Sequence, residues 1–179
     1  DYGIKTKYEL SLNDIVDRSR GVAKKLSNGI EYLFKKNSIN LIKGKAYIEN
    51  KNTIMIENNG SESRADAENI IIATGAKPKI LPFLKNNSIE VWNYIDAMSP
   101  KGLPSSLGII GSGAIGIEFA SFYNALGVNV KVFESQDEIV PSEDIEISKT
   151  LENILISKGI SFYKKSKVVN LKKDKLFTL

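Results

Sequence analysis

The sequence of 179 residues contains neither cysteine nor histidine. Without a thiol, the chain has no disulfide, no cysteine nucleophile and no cysteine-based redox centre of its own. Without an imidazole, it lacks the side chain that most often acts as an acid or base at neutral pH, and the usual types of zinc site are excluded. We predict no metal site, and we expect any chemistry that needs these groups to lie in residues outside this sequence.

Long hydrophobic runs are also missing. No apolar stretch is long enough to cross a bilayer, and no signal peptide is visible. Hydrophobic residues make up 42% of the chain, which is ordinary for a soluble globular protein. We therefore expect a cytoplasmic protein, or one of the mitochondrial matrix if the source is eukaryotic, with no membrane partner.

The charge balance is mildly basic, with 25 Lys and Arg against 21 Asp and Glu. Much of the excess lies between residues 158 and 175, where seven Lys accompany one Asp. A basic cluster can bind nucleic acid, but no binding motif and no interleaved aromatic residues support that function here. We interpret the lysines as a solvated surface and predict no nucleic-acid partner.

A glycine-rich stretch is the most informative part of the chain. Gly111, Gly113 and Gly116 have the spacing G-x-G-x-x-G directly after an apolar run at 107–110. In such a motif the first glycine permits a tight strand-to-helix turn, the second lets a pyrophosphate approach the backbone, and the third lets the helix pack close to the strand. The free N–H groups and the dipole of the following helix favour the negative charge of the phosphate.

The residues that follow supply the context that the motif requires. Apolar residues continue at helical spacing from Ile115 to Leu126, and Gly127 stands where a helix C-cap is expected. A second alternating strand at 128–132 leads to Glu134, whose carboxylate can hydrogen-bond both ribose hydroxyls and would repel a 2′-phosphate. A plain turn between a strand and a helix is the alternative. The full context instead predicts a dinucleotide site that prefers NAD to NADP.

The first half of the chain contains other recognisable elements. Residues 11–14 resemble a capping box that starts a long amphipathic helix ending near Asn37. A strand is predicted at 39–42, and a small antiparallel meander follows over 46–56. The run at 67–73 is typical of a buried strand, and the small residues after it allow the close approach of a ligand or a second backbone.

In the second half, residues 79–105 contain three of the five Pro, together with Asn86, Asn87 and Gly102, and are interpreted as a connection that contains a short helix near 93–98. A helix is predicted over 147–155, closed by Gly159, with strands at 160–163 and 167–171. The chain begins without Met and stops within this set of strands. We therefore expect it to be a piece of a longer protein.

Three segments together resemble the flavin-dependent pyridine nucleotide disulfide oxidoreductases, and especially the dihydrolipoamide dehydrogenase group of that family. They are IIIATGAKP at 70–78, GSGAIGIEFA at 111–120 and SEDIEISK at 142–149. The resemblance covers essentially the whole chain but only the middle of the family's chain. It implies an α/β fold in which part of an FAD-binding domain, with its long helix and β-meander, occupies residues 1–79. A Rossmann-like NAD-binding domain, incomplete at its C-terminus, then occupies residues 80–179.

The resemblance implies two cofactors, FAD and NAD. Ala46 matches a backbone position that contacts the FAD adenine, and Thr74, Gly75 and Ala76 match the turn that passes the flavin nucleotide. The positions that match NAD contacts are Gly111, Ser112, Gly113, Ala114, Ile115, Gly116, Glu118, Glu134 and Val168. Glu118 has two interpretations: an acid in the first turns of a helix, favoured by the dipole, or the family's carboxylate near the flavin, whose Lys partner is absent here.

Several parts of the family pattern are missing from this sequence. The first G-x-G-x-x-G, which holds the FAD pyrophosphate, the redox pair of cysteines and the C-terminal dimerisation domain with its His–Glu pair are all absent. By resemblance, the parent enzyme would be a homodimer that oxidises dihydrolipoamide on the lipoyl domain of a 2-oxoacid dehydrogenase complex, through a disulfide and FAD, and reduces NAD. We expect the chain alone to be inactive, with no catalytic residue of its own.

Two alternatives remain open from the sequence. The parent could be another flavoenzyme of the same family, such as an NADH oxidase or a mercuric reductase. Glutathione reductase fits less well, because its preference for NADPH requires Arg where Ser135 and Gln136 follow Glu134. The chain could instead be a dinucleotide-binding module without chemistry, which the absence of cysteine and histidine would permit.

Overall fold

The structure, a computed structural model, describes residues 3, 7, 9–81, 91–173, 177 and 178. The chain divides into two compact units. One comprises residues 17–77, and the other comprises residues 78–179 together with 1–16. The sequence-based domain boundary after residue 79 stays a prediction.

The long helix predicted near the start of the chain is confirmed as α1, Leu12–Lys36. Ser11 caps its start, since the Ser11 Oγ accepts a hydrogen bond of 3.3 Å from the N–H of Asp14. No residue of α1 is buried, and even Leu26, in the middle of the apolar stripe, is 66% exposed. The amphipathic pattern therefore forms the helix, but the described residues leave most of its apolar face exposed.

The meander consists of β1 (Lys45–Ile48), β2 (Thr53–Asn58) and β3 (Ser61–Asp66), paired antiparallel in the order β1-β2-β3. Asn59 and Gly60 both have positive φ, 49° and 80°, as the two-residue turn between β2 and β3 requires. Arg64 makes two hydrogen bonds, of 2.7 and 2.9 Å, to the carboxylate of Glu49. The predicted meander is therefore confirmed, with β3 as an additional strand.

Two strands predicted in this half are not formed. Residues 39–42 and 67–73 have no regular structure, and Ile71 is 90% exposed. A strand needs a neighbour for its N–H and C=O groups, and no described strand pairs with either segment. Instead, two hydrogen bonds join Ala67 to Asn52. The Ala67 N–H donates to the Asn52 backbone oxygen at 2.8 Å, and the Asn52 side-chain amide donates to the Ala67 oxygen at 2.9 Å.

The second unit contains a parallel sheet. After the short helix α2 (Tyr94–Ala97), the chain forms β4 (Ser106–Ile110), α3 (Ala114–Ala125), β5 (Asn129–Phe133), α4 (Ile145–Ser157) and β6 (Ser161–Tyr163). The sheet order is β4-β5-β6, and α3 and α4 each connect two neighbouring parallel strands. The predicted helices near 93–98 and 147–155 and the strand near 160–163 are confirmed.

The predicted strand at 167–171 is wrong, because residues 166–171 have no regular structure. The chain pairs later instead, where β7 (Lys172–Lys173) and β8 (Phe177–Thr178) form a two-stranded antiparallel sheet. The β-branched residues at 168 and 169 favour a strand, but no described strand lies beside them to accept their hydrogen bonds.

The core of the second unit lies between the parallel sheet and the helices. Its fully buried side chains are Ala120, Tyr123, Val130, Val132 and Ile139. The Tyr123 hydroxyl donates a 2.7 Å hydrogen bond to the Ala97 oxygen, which ties α3 to the end of α2. Burial also raises the pKa of the Tyr123 phenol. Trp92 packs against this core, with its ring centroid 6.1 Å from that of Tyr123.

In the part of the chain that the structure describes, none of the helices combines the length and the apolar character needed to span a membrane.

Candidate functional site

The glycine-rich turn connects β4 to α3 at the carboxyl end of the parallel sheet. Gly111 has a φ of +97°, a conformation that side chains disfavour, and its N–H donates a 2.8 Å hydrogen bond to the Phe133 oxygen on β5. Gly113 is the N-cap of α3, and its oxygen accepts a 3.0 Å hydrogen bond from the Ile117 N–H. The chain therefore turns from the strand into the helix within three residues.

The third glycine of the motif is needed for packing. A Cβ on Gly116 would overlap the backbone oxygen of Gly111 and would lie 3.5 Å from a methyl group of Ile109. Only a residue without a side chain lets α3 approach the end of β4 this closely.

The second glycine lies in open space. A Cβ on Gly113 would meet no atom within 4 Å, and no side chain caps the first N–H groups of α3. Uncapped N–H groups at the start of a helix bind an anion through hydrogen bonds and the helix dipole. The turn therefore fits a phosphate group, which the missing side chain at Gly113 leaves room to approach.

Glu134 follows β5 and turns back toward the glycine-rich turn. Its Oε2 accepts hydrogen bonds from the Ser112 N–H at 2.8 Å and the Ser112 hydroxyl at 2.7 Å. Its Oε1 accepts hydrogen bonds from the Gln136 N–H at 2.9 Å and the Ser135 hydroxyl at 3.2 Å. The carboxylate thus joins the turn after β4 to the loop after β5.

The environment of Glu134 favours its charged form. The side chain is only 7% exposed, and burial is the largest single influence, which acts to raise the pKa. The hydrogen bonds from Ser112, Gln136 and Ser135 together outweigh burial and lower the pKa of Glu134 below its usual value. The site therefore holds a fixed negative charge at neutral pH.

The loop that follows Glu134 is fastened to the end of β6. The Glu134 N–H donates to the Tyr163 oxygen at 2.9 Å, and the Ser166 N–H donates to the Glu134 oxygen at 2.8 Å. The rings of Phe133 and Tyr163 stack with centroids 5.0 Å apart. The Val140 N–H donates to the Ser112 oxygen at 2.9 Å, so the far end of the loop returns to the glycine-rich turn.

Lys164 adds an ionic clamp to this loop. Its ammonium lies 3.0 Å from the Glu138 carboxylate and 2.9 Å from that of Glu152 on α4. The hydrogen bond with Glu152, followed by that with Glu138, raises the pKa of Lys164. The neighbouring Lys165 pairs with Asp137 at 3.4 Å, but both of these side chains are largely exposed.

The remaining positions predicted to contact NAD are not all gathered here. Ala114 and Ile115 lie exposed in the first turn of α3, beside the turn itself. Glu118 is exposed further along α3, and no ion pair between described residues includes it. Val168 lies partly buried in the irregular segment after β6, and no described contact joins it to the glycines.

The positions predicted to contact FAD are not assembled into a site by the described residues. Ala46 is exposed on β1, opposite Ile56 of β2. Thr74, Gly75 and Ala76 lie in an exposed irregular segment, where Gly75 has a φ of +72°. No described hydrogen bond links Ala46 to these three residues, so the FAD contacts stay a prediction that rests on the resemblance.

Sequence reasoning missed the contacts that hold the site together. It placed Ser112 only as a residue of the motif and did not predict its two bonds to Glu134, which is 22 positions away. It interpreted Lys164 as solvated, whereas Lys164 bridges two carboxylates. The contact between Ser112 and Glu134 had one signal in the sequence, a hydroxyl residue between the first two glycines. The contacts of Lys164 had no visible signal. No group of three or more potential metal ligands occurs among the described residues.

Two curated relatives of this chain are dihydrolipoyl dehydrogenases. The chain is 37% identical over 175 residues to the dihydrolipoyl dehydrogenase of Zymomonas mobilis, an alignment that covers 97% of this chain and 38% of that protein. It is 36% identical over 178 residues to a dihydrolipoyl dehydrogenase of Bacillus subtilis, covering 94% of this chain and 38% of the relative. The chain thus spans less than two-fifths of the length of these relatives.

Solved structures show the same fold. The structure resembles LpdA from Mycobacterium tuberculosis with a TM-score of 0.82 and 27% identity, over 93% of this chain and 38% of that one. It resembles a Cu(II) complex of the HOCl-induced flavoprotein disulfide reductase RclA from Escherichia coli with a TM-score of 0.77 and 25% identity, over 89% of this chain and 37% of that one.

The fold is therefore α/β, and the described residues form one parallel sheet and two antiparallel sheets. The sequence matches the family described as pyridine nucleotide-disulphide oxidoreductase over residues 3–178. The chain belongs to this family, whose members bind FAD and NAD(P).

Proposed function

We propose that residues 80–179 form a Rossmann-like NAD-binding domain and that the glycine-rich turn with Glu134 is its dinucleotide site. The observation that carries this proposal is the junction between the two elements. The open start of α3 suits a diphosphate, and the buried carboxylate of Glu134 is bonded directly to Ser112 within the same turn. An adenosine diphosphate group placed here would have its phosphates at the helix and its ribose at the carboxylate.

The fixed charge of Glu134 sets the proposed preference between the cosubstrates. A ribose hydroxyl can donate a hydrogen bond to the carboxylate, whereas a 2′-phosphate would bring a second negative charge close to the buried charge of Glu134. Isothermal titration calorimetry with NAD and with NADP tests the proposal. Tighter binding of NAD supports it, and equal affinities would remove the role assigned to Glu134.

For the whole protein, we propose a flavoprotein disulfide reductase of the dihydrolipoamide dehydrogenase type. The two dehydrogenase relatives, at 36–37% identity along almost the whole chain, support this specific parent. Such an enzyme would be an intracellular homodimer that oxidises dihydrolipoamide carried by a lipoyl domain. Residues 1–79 would supply part of the FAD-binding domain, with Ala46, Thr74, Gly75 and Ala76 near the cofactor.

Activity assays on the whole protein and on this chain test that proposal separately. The whole protein is expected to oxidise NADH in a manner that depends on lipoamide. This chain contains no cysteine to exchange electrons with a disulfide and should show no such activity. Lipoamide-dependent oxidation by the pure chain would contradict this division of roles.

A second candidate is another disulfide reductase of the same family, and the likeness to RclA supports it. The two candidates share the proposed NAD site and differ in the substrate of the parent enzyme. Assay of the whole protein with lipoamide, molecular oxygen, Hg(II) and Cu(II) as electron acceptors distinguishes them.

A further inference from the structure

All the acceptor positions of the Glu134 carboxylate are occupied by the protein itself. Two carboxylate oxygens offer about four lone-pair directions, and four donors from Ser112, Ser135 and Gln136 occupy them. A ribose hydroxyl that donates to this carboxylate must therefore displace one of these donors. This inference rests on the proposed NAD site. Which donor is displaced depends on how firmly each of the four is held.

Three of the four donors are held in place. The N–H groups of Ser112 and Gln136 belong to the backbone of the two turns and cannot rotate away. The Ser112 hydroxyl is fully buried, and its 2.7 Å bond is the shortest of the four. If it turned away from Glu134, a polar group would be left buried without a partner, which is costly.

The fourth donor is of a different kind. Ser135 is exposed, and the bond of its hydroxyl to Oε1 is the longest of the set at 3.2 Å. Water can replace Glu134 as the partner of this hydroxyl, so that its rotation leaves no group unsatisfied. The oxygen that it releases, Oε1, is the one that does not face Ser112.

We propose that the two serines bound to Glu134 have opposite roles in binding NAD. The Ser135 hydroxyl is exchanged for a ribose hydroxyl, which takes over its position on Oε1. The Ser112 hydroxyl stays on Oε2 and acts as a positioning residue that fixes the carboxylate while this exchange occurs. Ser135 therefore competes with the cosubstrate, and Ser112 prepares its acceptor.

The two roles predict opposite effects of removing each hydroxyl. We would measure the affinities for NAD and NADP by calorimetry in this chain without substitutions and in its Ser135→Ala, Ser112→Ala and Ser142→Ala variants. Ser135→Ala is expected to bind NAD about two- to threefold more tightly than the unsubstituted chain, because a competing hydrogen bond is gone. Ser112→Ala is expected to bind NAD about tenfold more weakly and to discriminate less against NADP, because a charge-assisted bond is lost.

Ser142→Ala is the matched control. The Ser142 hydroxyl also donates to a neighbouring glutamate, Glu143, but at 3.4 Å on the exposed surface. This variant should bind both nucleotides as tightly as the chain without substitutions does. Altered binding would mean that the loss of any serine–glutamate contact changes nucleotide affinity, which would overturn the specific roles assigned to Ser112 and Ser135.

Two further results would overturn the proposal. NAD binding by Ser135→Ala that is unchanged, or as weak as that of Ser112→Ala, would show that Ser135 does not compete with the cosubstrate. Unchanged binding and selectivity in Ser112→Ala would show that Ser112 does not position the carboxylate. Thermal unfolding checks that Ser112→Ala, a substitution at a buried position, still folds. If Ser112→Ala does not fold, Ser135→Ala still tests the exchange, because its position is exposed. If the chain without substitutions binds no NAD, that result contradicts the proposed function itself. The results above, by contrast, contradict only the roles assigned to the two serines.

Discussion

Gly116 and Gly111 lie so close that no other residue fits at position 116. A Cβ there would overlap the backbone oxygen of Gly111, whereas a Cβ on Gly113 would meet no protein atom within 4 Å. Two glycines of one motif are thus required for different reasons. One allows a helix and a strand to pack, and the other leaves a space that we assign to the cosubstrate.

This difference predicts that alanine has separable effects at the two positions. Gly116→Ala should destabilise the fold by about 1–3 kcal/mol, as other insertions into packed regions do. Gly113→Ala should leave the melting temperature within about 2 °C but should weaken NAD binding, because its methyl group occupies the path of the pyrophosphate. Thermal unfolding and calorimetry on the two variants measure both effects. Equal losses of stability would show that position 113 is also packed.

Replacement of Glu134 should reduce the selectivity for NAD. Glu134→Ala removes both the acceptor for the ribose and the charge that opposes a 2′-phosphate, so we expect weaker NAD binding and a smaller ratio of NAD to NADP affinity. Glu143→Ala removes an equal charge from an exposed position and should leave the ratio unchanged. Similar ratios in these two variants would assign selectivity to general charge rather than to Glu134.

The lowered pKa of Glu134 predicts a pH dependence of stability. A carboxyl group whose pKa is lower in the folded than in the unfolded state stabilises the protein above the unfolded value, near 4.5, and this contribution is lost as the pH falls through the folded value. Glu134→Gln should therefore be less stable than the parent chain at pH 7, by about 2 kcal/mol, and the difference should shrink below pH 4.5. Urea unfolding at several pH values measures it, and a constant difference would contradict the assignment.

Lys164 and Lys165 provide a matched pair for the ionic clamp. The Lys164 side chain is 29% exposed and contacts two carboxylates, whereas that of Lys165 is 71% exposed and contacts one. We expect Lys164→Met to lose about 1 kcal/mol and Lys165→Met to lose less than about 0.3 kcal/mol at pH 7. Because the pKa of Lys164 is raised in the folded state, its contribution should be present below pH 10.5 and be lost as the pH rises through the folded value. Denaturant unfolding of both variants checks the order.

The elements that were predicted correctly are those whose signals are local. α1, the meander and the β4–α3–β5 unit depend on periodicity, turn residues and caps that lie within the element itself. The segment 67–73 has an equally apolar sequence, yet it forms no strand, because pairing depends on a second strand that its own residues do not specify. The same reason applies to 39–42 and 167–171.

The candidate site shows the same limit. The glycine spacing and the acid after β5 were visible because their distance along the chain follows from the length of one strand–helix–strand unit. The contact between Ser112 and Glu134 was not visible in the sequence, because it depends on how two turns approach each other at the end of the sheet. Lys164 was equally hidden, because one of its two partners lies on a helix and the other in a loop.

Trp92 is the sole tryptophan of the sequence, and it packs on the core beside Tyr123. Its emission therefore reports the melting of the parallel-sheet unit alone, whereas far-ultraviolet circular dichroism is sensitive to the 25 residues of α1 as well. The chain thus carries a built-in optical probe for one of its two units. Denaturation curves from the two signals would coincide if the molecule melts as a single cooperative body and would separate if it does not.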